Sequence, residues 1–310
     1  MQQAICSSKA APRAVAVGRA LCAAALLIAA QGACQDGGTT SPRDLGGSSD
    51  GGSGGFDLPI ADLMPRPAVM TTIRDLNDGK VAVGTFVQVS AVVTAPVAIG
   101  SAVTQNQECL YELYVGQPAT LAPTPTLHDG IVVRQTEIVA RGDMMIDPSQ
   151  CQVRVPTVAL GKLMRNSAVQ VRATLQQRGS LRYLELMGGE ILDRGPAAAA
   201  DLPQPVDVMT QQLVSGALGM ATPAPFYDAS GALVRLTRVT TLQRNATTQT
   251  FKVAPAAGGA ETRINPAYLK IANAGFTAPA DGTLYSSVLG IVTIDLGGTI
   301  TPRDTADLKP

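Results

Sequence analysis

The stretch Gly84-Thr85-Phe86-Val87-Gln88-Val89-Ser90-Ala91-Val92-Val93-Thr94 decides how the rest of the chain is read. Apolar Phe86, Val87, Val89, Val92 and Val93 alternate imperfectly with small polar residues, and little in the stretch favours a helix. A β-strand is expected. The pattern returns at Gly231-Ala232-Leu233-Val234-Arg235-Leu236-Thr237-Arg238-Val239-Thr240-Thr241, with an apolar or small residue under nearly every counterpart. Two copies of one β-unit are therefore expected.

Outward from the first copy, strands are expected at 86–94, 109–115, 130–134, 169–175 and 181–186. The last two are joined by Gln176-Gln177-Arg178-Gly179-Ser180, a loop of hairpin length containing Gly. Five strands with a long irregular connection between the third and fourth fit a Greek-key barrel of the OB type. Thr71–Leu76 reads as a turn of helix or an edge strand, ended by Asn77-Asp78-Gly79. Around the second copy, Val206–Val214 reads as a short amphipathic helix or turn. Strands are expected at 233–242, 250–253, 262–264, 286–293 and 299–301. Between the copies, residues 195–205 are rich in Ala and Pro and read as a connector.

Ile73-Arg74-Asp75-Leu76-Asn77-Asp78-Gly79 leading into 84–94 resembles the opening of OB-fold-type domains of exported bacterial proteins, including myxobacterial-type lipoproteins. Tyr285–Thr293, with Gly297-Gly298 and Thr301-Pro302-Arg303-Asp304, resembles the closing hairpin of the same modules. The resemblance implies an all-β chain of two tandem OB-like five-stranded Greek-key barrels in a cell-envelope setting, and no activity. Two β-sandwich domains are the alternative architecture. The expected layout is 57–194 for the first domain, 195–205 for the connector and 206–310 for the second.

Ahead of these units, Lys9, Arg13 and Arg19 precede the apolar run 20–30, the charge-then-apolar order of a secretory signal peptide covering residues 1–33. The run is shorter than the roughly 20 residues a membrane span needs. Gln31-Gly32-Ala33-Cys34 resembles a bacterial lipobox, with Gln31 where that motif usually has Leu. Cys34 is thus the expected lipid acceptor; the alternative is ordinary cleavage near Gly32 or Ala33. Residues 34–56, dominated by Gly, Ser, Thr and Asp, cannot bury enough surface to offset their ordering entropy and read as a flexible tether. The Gly51-Gly52-Ser53-Gly54-Gly55 match to a nucleophile elbow lacks the strand and helix that give that motif meaning.

The cysteines agree with this layout. Removing Cys6 and Cys22 leaves Cys34, Cys109 and Cys151, and lipidation of Cys34 frees Cys109 and Cys151 to pair in an oxidising compartment. Two separately buried thiols are the alternative. Of 24 basic residues, three leave with the signal, so 21 remain against 24 acidic ones, a net charge of −3. Such a chain has no global field to attract phosphate backbones.

Candidate chemistry is sparse. His128 beside Asp129, with Asp143 and Asp147 downstream, reads as a solvent-exposed loop residue rather than a catalytic base. Asp75 and Asp78 read as turn-formers, lacking the spaced carboxylates of a calcium loop. Neither metal site, cofactor nor catalytic residue is expected, and Asn245-Ala246-Thr247 carries little weight as a sequon. Arg165, Arg172, Arg178 and Arg182 make the fourth and fifth strands locally basic, and Arg172, Arg178, Arg182 and Tyr183 are the candidate ligand-binding residues. Aromatic residues are 4% of the chain with no Trp, whereas nucleic-acid grooves stack bases on rings, so nucleic acid is disfavoured as a partner. The expected function is a non-catalytic lipoprotein, held at the bacterial cell envelope, expected at the outer membrane, by its N-terminal lipid and presenting its barrels to a protein or glycan. The alternatives are an OB-type subunit binding oligosaccharide or single-stranded nucleic acid, or an accessory subunit of a secreted hydrolase.

Overall fold

The computed structural model describes residues 67–101, 108–138, 148–155, 158–217 and 221–310. The expected signal segment, Cys34 and the tether lie outside the described residues, as do Asp143 and Asp147. Among the described residues no helix is long and apolar enough to cross a membrane.

The chain forms two closed sheets with one plan. The first contains β1 (Val69–Met70), α1 (Ile73–Asn77), β2 (Phe86–Ser101), β3 (Glu108–Gly116), β4 (Gly130–Ile138), α2 (Pro148–Arg154), β5 (Ser167–Arg178) and β6 (Leu181–Pro196). β2, β3 and β4 run antiparallel in turn, β4 pairs parallel with β6, β6 antiparallel with β5, and β5 antiparallel with β2 to close the circuit. Closure removes the sheet edges that an open sheet would leave unpaired. Strict alternation fills the interior: Val169, Val171, Ala173 and Leu175 of β5 point inward, as do Cys109, Tyr111, Leu113 and Val115 of β3. α1 caps this core with buried Ile73 and Leu76, and its first turn is held by Thr72, whose hydroxyl accepts from the Asp75 amide at 3.1 Å.

The second contains β7 (Val206–Val208), α3 (Ala224–Asp228), β8 (Leu233–Leu242), β9 (Phe251–Pro255), β10 (Thr262–Ile264), α4 (Ala267–Ala272), β11 (Leu284–Thr293), β12 (Thr299–Thr301) and β13 (Leu308–Lys309). β8, β9 and β10 run antiparallel, β10 pairs parallel with β12, β12 antiparallel with β11, and β11 antiparallel with β8. Its core holds Phe226, Leu236, Phe251, Val253, Ile264 and Ile300.

The duplication expected from 84–94 and 231–241 is made at the level of single hydrogen bonds. The Gly84 amide donates to Leu175 and the Leu175 amide to Thr85; the Gly231 amide donates to Val292 and the Val292 amide to Ala232. Both glycines sit at φ 89°, where a side chain would be strained. A short strand lies parallel to the first long strand in each copy, pairing Val69 with Val87 and Val206 with Val234.

Three details differ from the sequence reading. Val206–Val208 is a strand rather than a helix, because its apolar residues are two apart and β8 has unpaired backbone before β9 joins it; residues 210–212 then make one tight turn. β6 runs to Pro196 instead of ending near 186, since a register shift between Arg172 and Thr174 lets it continue along β5. The connector is tied down: the Ala119 amide donates to the Asp201 carbonyl and the Thr120 hydroxyl to the Asp201 carboxylate at 2.5 Å. The Cys109–Cys151 disulfide is formed, with Cα atoms 5.5 Å apart, and fastens α2 to β3.

Candidate binding site

The four residues expected to bind ligand do not gather. Arg172 pairs with Glu190 at 2.9 Å and lies 5.9 Å from the Phe86 ring centroid. Arg178 is exposed near the hairpin tip with no ion pair among the described residues. The Arg182 guanidinium donates to the Leu76 carbonyl at 2.6 Å, tying the hairpin to the end of α1. Tyr183, one residue on, faces the other way and lies under Arg134, 4.5 Å from ring centroid to guanidinium carbon. Arg165 is taken by an ion pair with Asp304.

The face carrying Tyr183 is covered. Tyr114, Val132 and Leu181 on the outside of the first barrel form one apolar cluster with Leu233, Tyr268 and Ile291 of the second. The Tyr268 hydroxyl donates to the Pro96 carbonyl at 3.1 Å. Backbones meet directly, since a Cβ on Gly130 would stand 2.1 Å from the Gly231 carbonyl. Beside this cluster, Arg134 and Glu112 pair at 2.6 Å with side chains only 9% and 6% exposed, and the Tyr114 hydroxyl donates to Glu112 at 3.2 Å. Glu185, opposite Arg134 in register, has an inner carboxylate oxygen with no partner; burial raises its pKa, Arg134 opposes that and Glu108 adds to it.

What does gather is a polar cavity of about 320 Å³ that the sequence reading did not anticipate. Asn77 and Arg182 line it from α1 and β6, His128 from the β3–β4 connection, Gln177 and Ser180 from the hairpin, and Tyr227 and Asp228 from α3. The Asn77 amide holds the connection in place, donating to the carbonyls of His128 at 2.9 Å and Gly130 at 2.8 Å. His128 lies in a loop as expected but is only half-exposed, and its partner is Asp78 rather than Asp129: Nδ1 lies 2.6 Å from the Asp78 carboxylate. That contact, with Lys80 adding to it, holds the Asp78 carboxyl below the usual carboxylate range. Asp129 instead takes both arms of Arg74, at 2.8 and 2.7 Å. Asp78 is a turn residue as read, whereas Asp75 lies in the first turn of α1, with Lys80 2.6 Å away.

The cavity thus offers a guanidinium, an imidazole, a carboxylate with no ion pair among the described residues, two side-chain amides, a hydroxyl and a phenol ring. Such a mixture orients a ligand rich in hydrogen-bonding groups. Among the described residues no three His, Cys, Asp or Glu side chains are placed to hold a metal. Of its seven residues only His128 and Arg182 stood out in sequence. Tyr227 and Asp228 belong to a five-residue helix 50 residues beyond Gln177, and no local pattern links them.

No family model and no curated protein matches the chain. Among solved structures it is similar to the OB domain of Ta0387 from Thermoplasma acidophilum, at 14% identity over 44% of this chain and 93% of that one, TM-score 0.23. It is also similar to the Ifi202 HINa domain in complex with 20-bp double-stranded DNA, at 8% identity over 69% and 90%, TM-score 0.27. A third likeness is to a replication protein A heterotrimer bound to single-stranded DNA, at 12% identity over 78% and 55%, TM-score 0.24. The OB-like plan of this chain rests on its own strand pairings.

Proposed function

We propose that this chain is an exported, non-catalytic binding protein, anchored to the bacterial envelope through lipidated Cys34, whose polar cavity takes a glycan. The observation that carries the reading is the convergence of Asn77, His128, Gln177, Arg182, Tyr227 and Asp228 on one cavity. Hydroxyl-rich ligands need donors and acceptors together with a ring face, and this set supplies all three. Export is supported by the amino-terminal charge pattern and by a disulfide, which persists in oxidising compartments. A myxobacterial-type lipoprotein is the setting that the sequence resemblance favours.

Polynucleotide binding is the weaker reading, because Tyr114 and Tyr183 are turned into the contact between barrels, which leaves few rings beside the basic hairpin on which successive bases could stack. The test is titration of the purified chain with neutral and acidic oligosaccharides and, separately, with single-stranded dT20. A saturable oligosaccharide complex, weakened about tenfold by Asp228→Asn, is the expected result. Salt-sensitive binding of dT20 with no oligosaccharide binding would reject the glycan assignment. Anchoring is tested apart from binding, by lipid labelling of wild type and Cys34→Ala; label retained in the variant would reject Cys34 as acceptor.

A further inference from the structure

The two barrels share a plan but finish one corner differently. In the first, Val92 pairs with Gly116, and the following residue, Gln117, turns back so that its side-chain oxygen accepts from the Ile73 amide at 2.7 Å. Gln117 is 3% exposed, its side chain packed against the start of α1. In the second, Val239 pairs with Pro255, and the following residue is Ala256. Counting from the matched pairs Val69–Val87 and Val206–Val234, Ile73 corresponds to Thr210. Thr210 is 1% exposed, and its hydroxyl has no hydrogen-bond partner.

Without the glutamine a groove of about 550 Å³ stands open, its accessible lining mainly the apolar groups of Met209, Pro255, Ala256 and Ala257 above the buried Val208, Leu236 and Val239. Met209, 59% exposed, stands on its rim. Arg238 also lines it, with no ion pair among the described residues and with its backbone at φ 51°, a left-handed conformation that arginine adopts at a cost. An Ala256 amide bonded to the Arg238 carbonyl at 3.2 Å holds that conformation. An apolar floor, a buried hydroxyl without a partner and a free cation are three observations that point to the same occupant.

We infer that this groove binds a short extended peptide with apolar side chains and one carboxylate. A peptide supplies main-chain groups for the Thr210 hydroxyl, apolar side chains for the floor and an anion for Arg238. A simple fatty acid has one polar end and would leave one of the two polar groups unmet. The site is separate from the polar cavity and does not depend on its ligand.

The experiment uses the full chain and fluorescently labelled Val-Ala-Val-Leu, with a free C-terminal carboxylate or amidated, followed by anisotropy. Binding of the carboxylate form is expected, about tenfold weaker for the amidated peptide and for Arg238→Ala. Ala256→Gln, which restores the plug of the first barrel, is expected to abolish binding while leaving the melting temperature unchanged or higher. No saturable binding, equal binding to Ala256→Gln that has folded normally, or displacement of the peptide by laurate at lower concentration than by unlabelled peptide would each overturn the inference. Arg238→Ala, being exposed, keeps the test decisive should Ala256→Gln fail to fold.

Discussion

At Glu185 a carboxylate has been set beside an arginine already satisfied by another. Arg134 gives its short contacts to Glu112, so Glu185 is half-buried with one oxygen unmet. A carboxyl whose folded pKa is raised costs stability once ionised: the cost is absent below the ordinary glutamate value of about 4.3 and grows as pH rises through the folded value. Glu185→Gln is therefore expected to raise the melting temperature at pH 7 by about 1–3 °C, and to match wild type at pH 4, by calorimetry. Asp75 and Asp78 behave oppositely. Their pKa values are lowered, by Lys80 and by His128 respectively, so what they contribute is whole above about pH 4 and fades as pH falls through their folded values. Asp304 joins them: burial raises its pKa, but Arg165, the Ala306 amide and Arg303 together outweigh that. Lys80 lies only five residues from Asp75, but the other pairings were not legible in sequence: Asp78 and His128 are 50 residues apart, and charge pairing across that distance is written only in the fold.

Among elements, the start of β4 and the turn before β8 set how closely the barrels approach. Gly130→Ala would force a methyl against the Gly231 carbonyl, which no side-chain rotation relieves. A loss of about 2–3 kcal/mol in urea unfolding is expected. Gly84→Ala is the control: nothing lies within 4 Å of the new carbon, so only the positive φ is penalised, at about 1 kcal/mol. Equal losses at the two sites would mean that the barrels do not rely on this backbone contact. β8, β10 and β12 were readable to the residue, because two-residue alternation bounded by turn residues is a local signal. β7 was not, since a three-residue strand gains its pairing from β8 rather than from its own composition.

For the whole molecule, the Cys109–Cys151 bond closes a separation of 42 residues, and in the chain-entropy model it contributes about 4 kcal/mol. Cys109→Ser with Cys151→Ser is expected to lower stability by about that amount in urea. Since Tyr114, Val132, Leu233 and Ile291 share one apolar cluster, unfolding is expected as a single transition by near- and far-ultraviolet circular dichroism; two separated transitions would show that each barrel stands alone. The sequence by itself determined the two β-units, their inward faces and the cysteines free to pair, because alternation, turn chemistry and cysteine count act over a few residues or by simple number. Only the tertiary structure decided which outer face is covered, which residues converge on the polar cavity, and that the corner filled by Gln117 is open beside Ala256. Those outcomes depend on side chains brought together from distant strands, and an outward-pointing residue carries no local mark of what comes to lie against it.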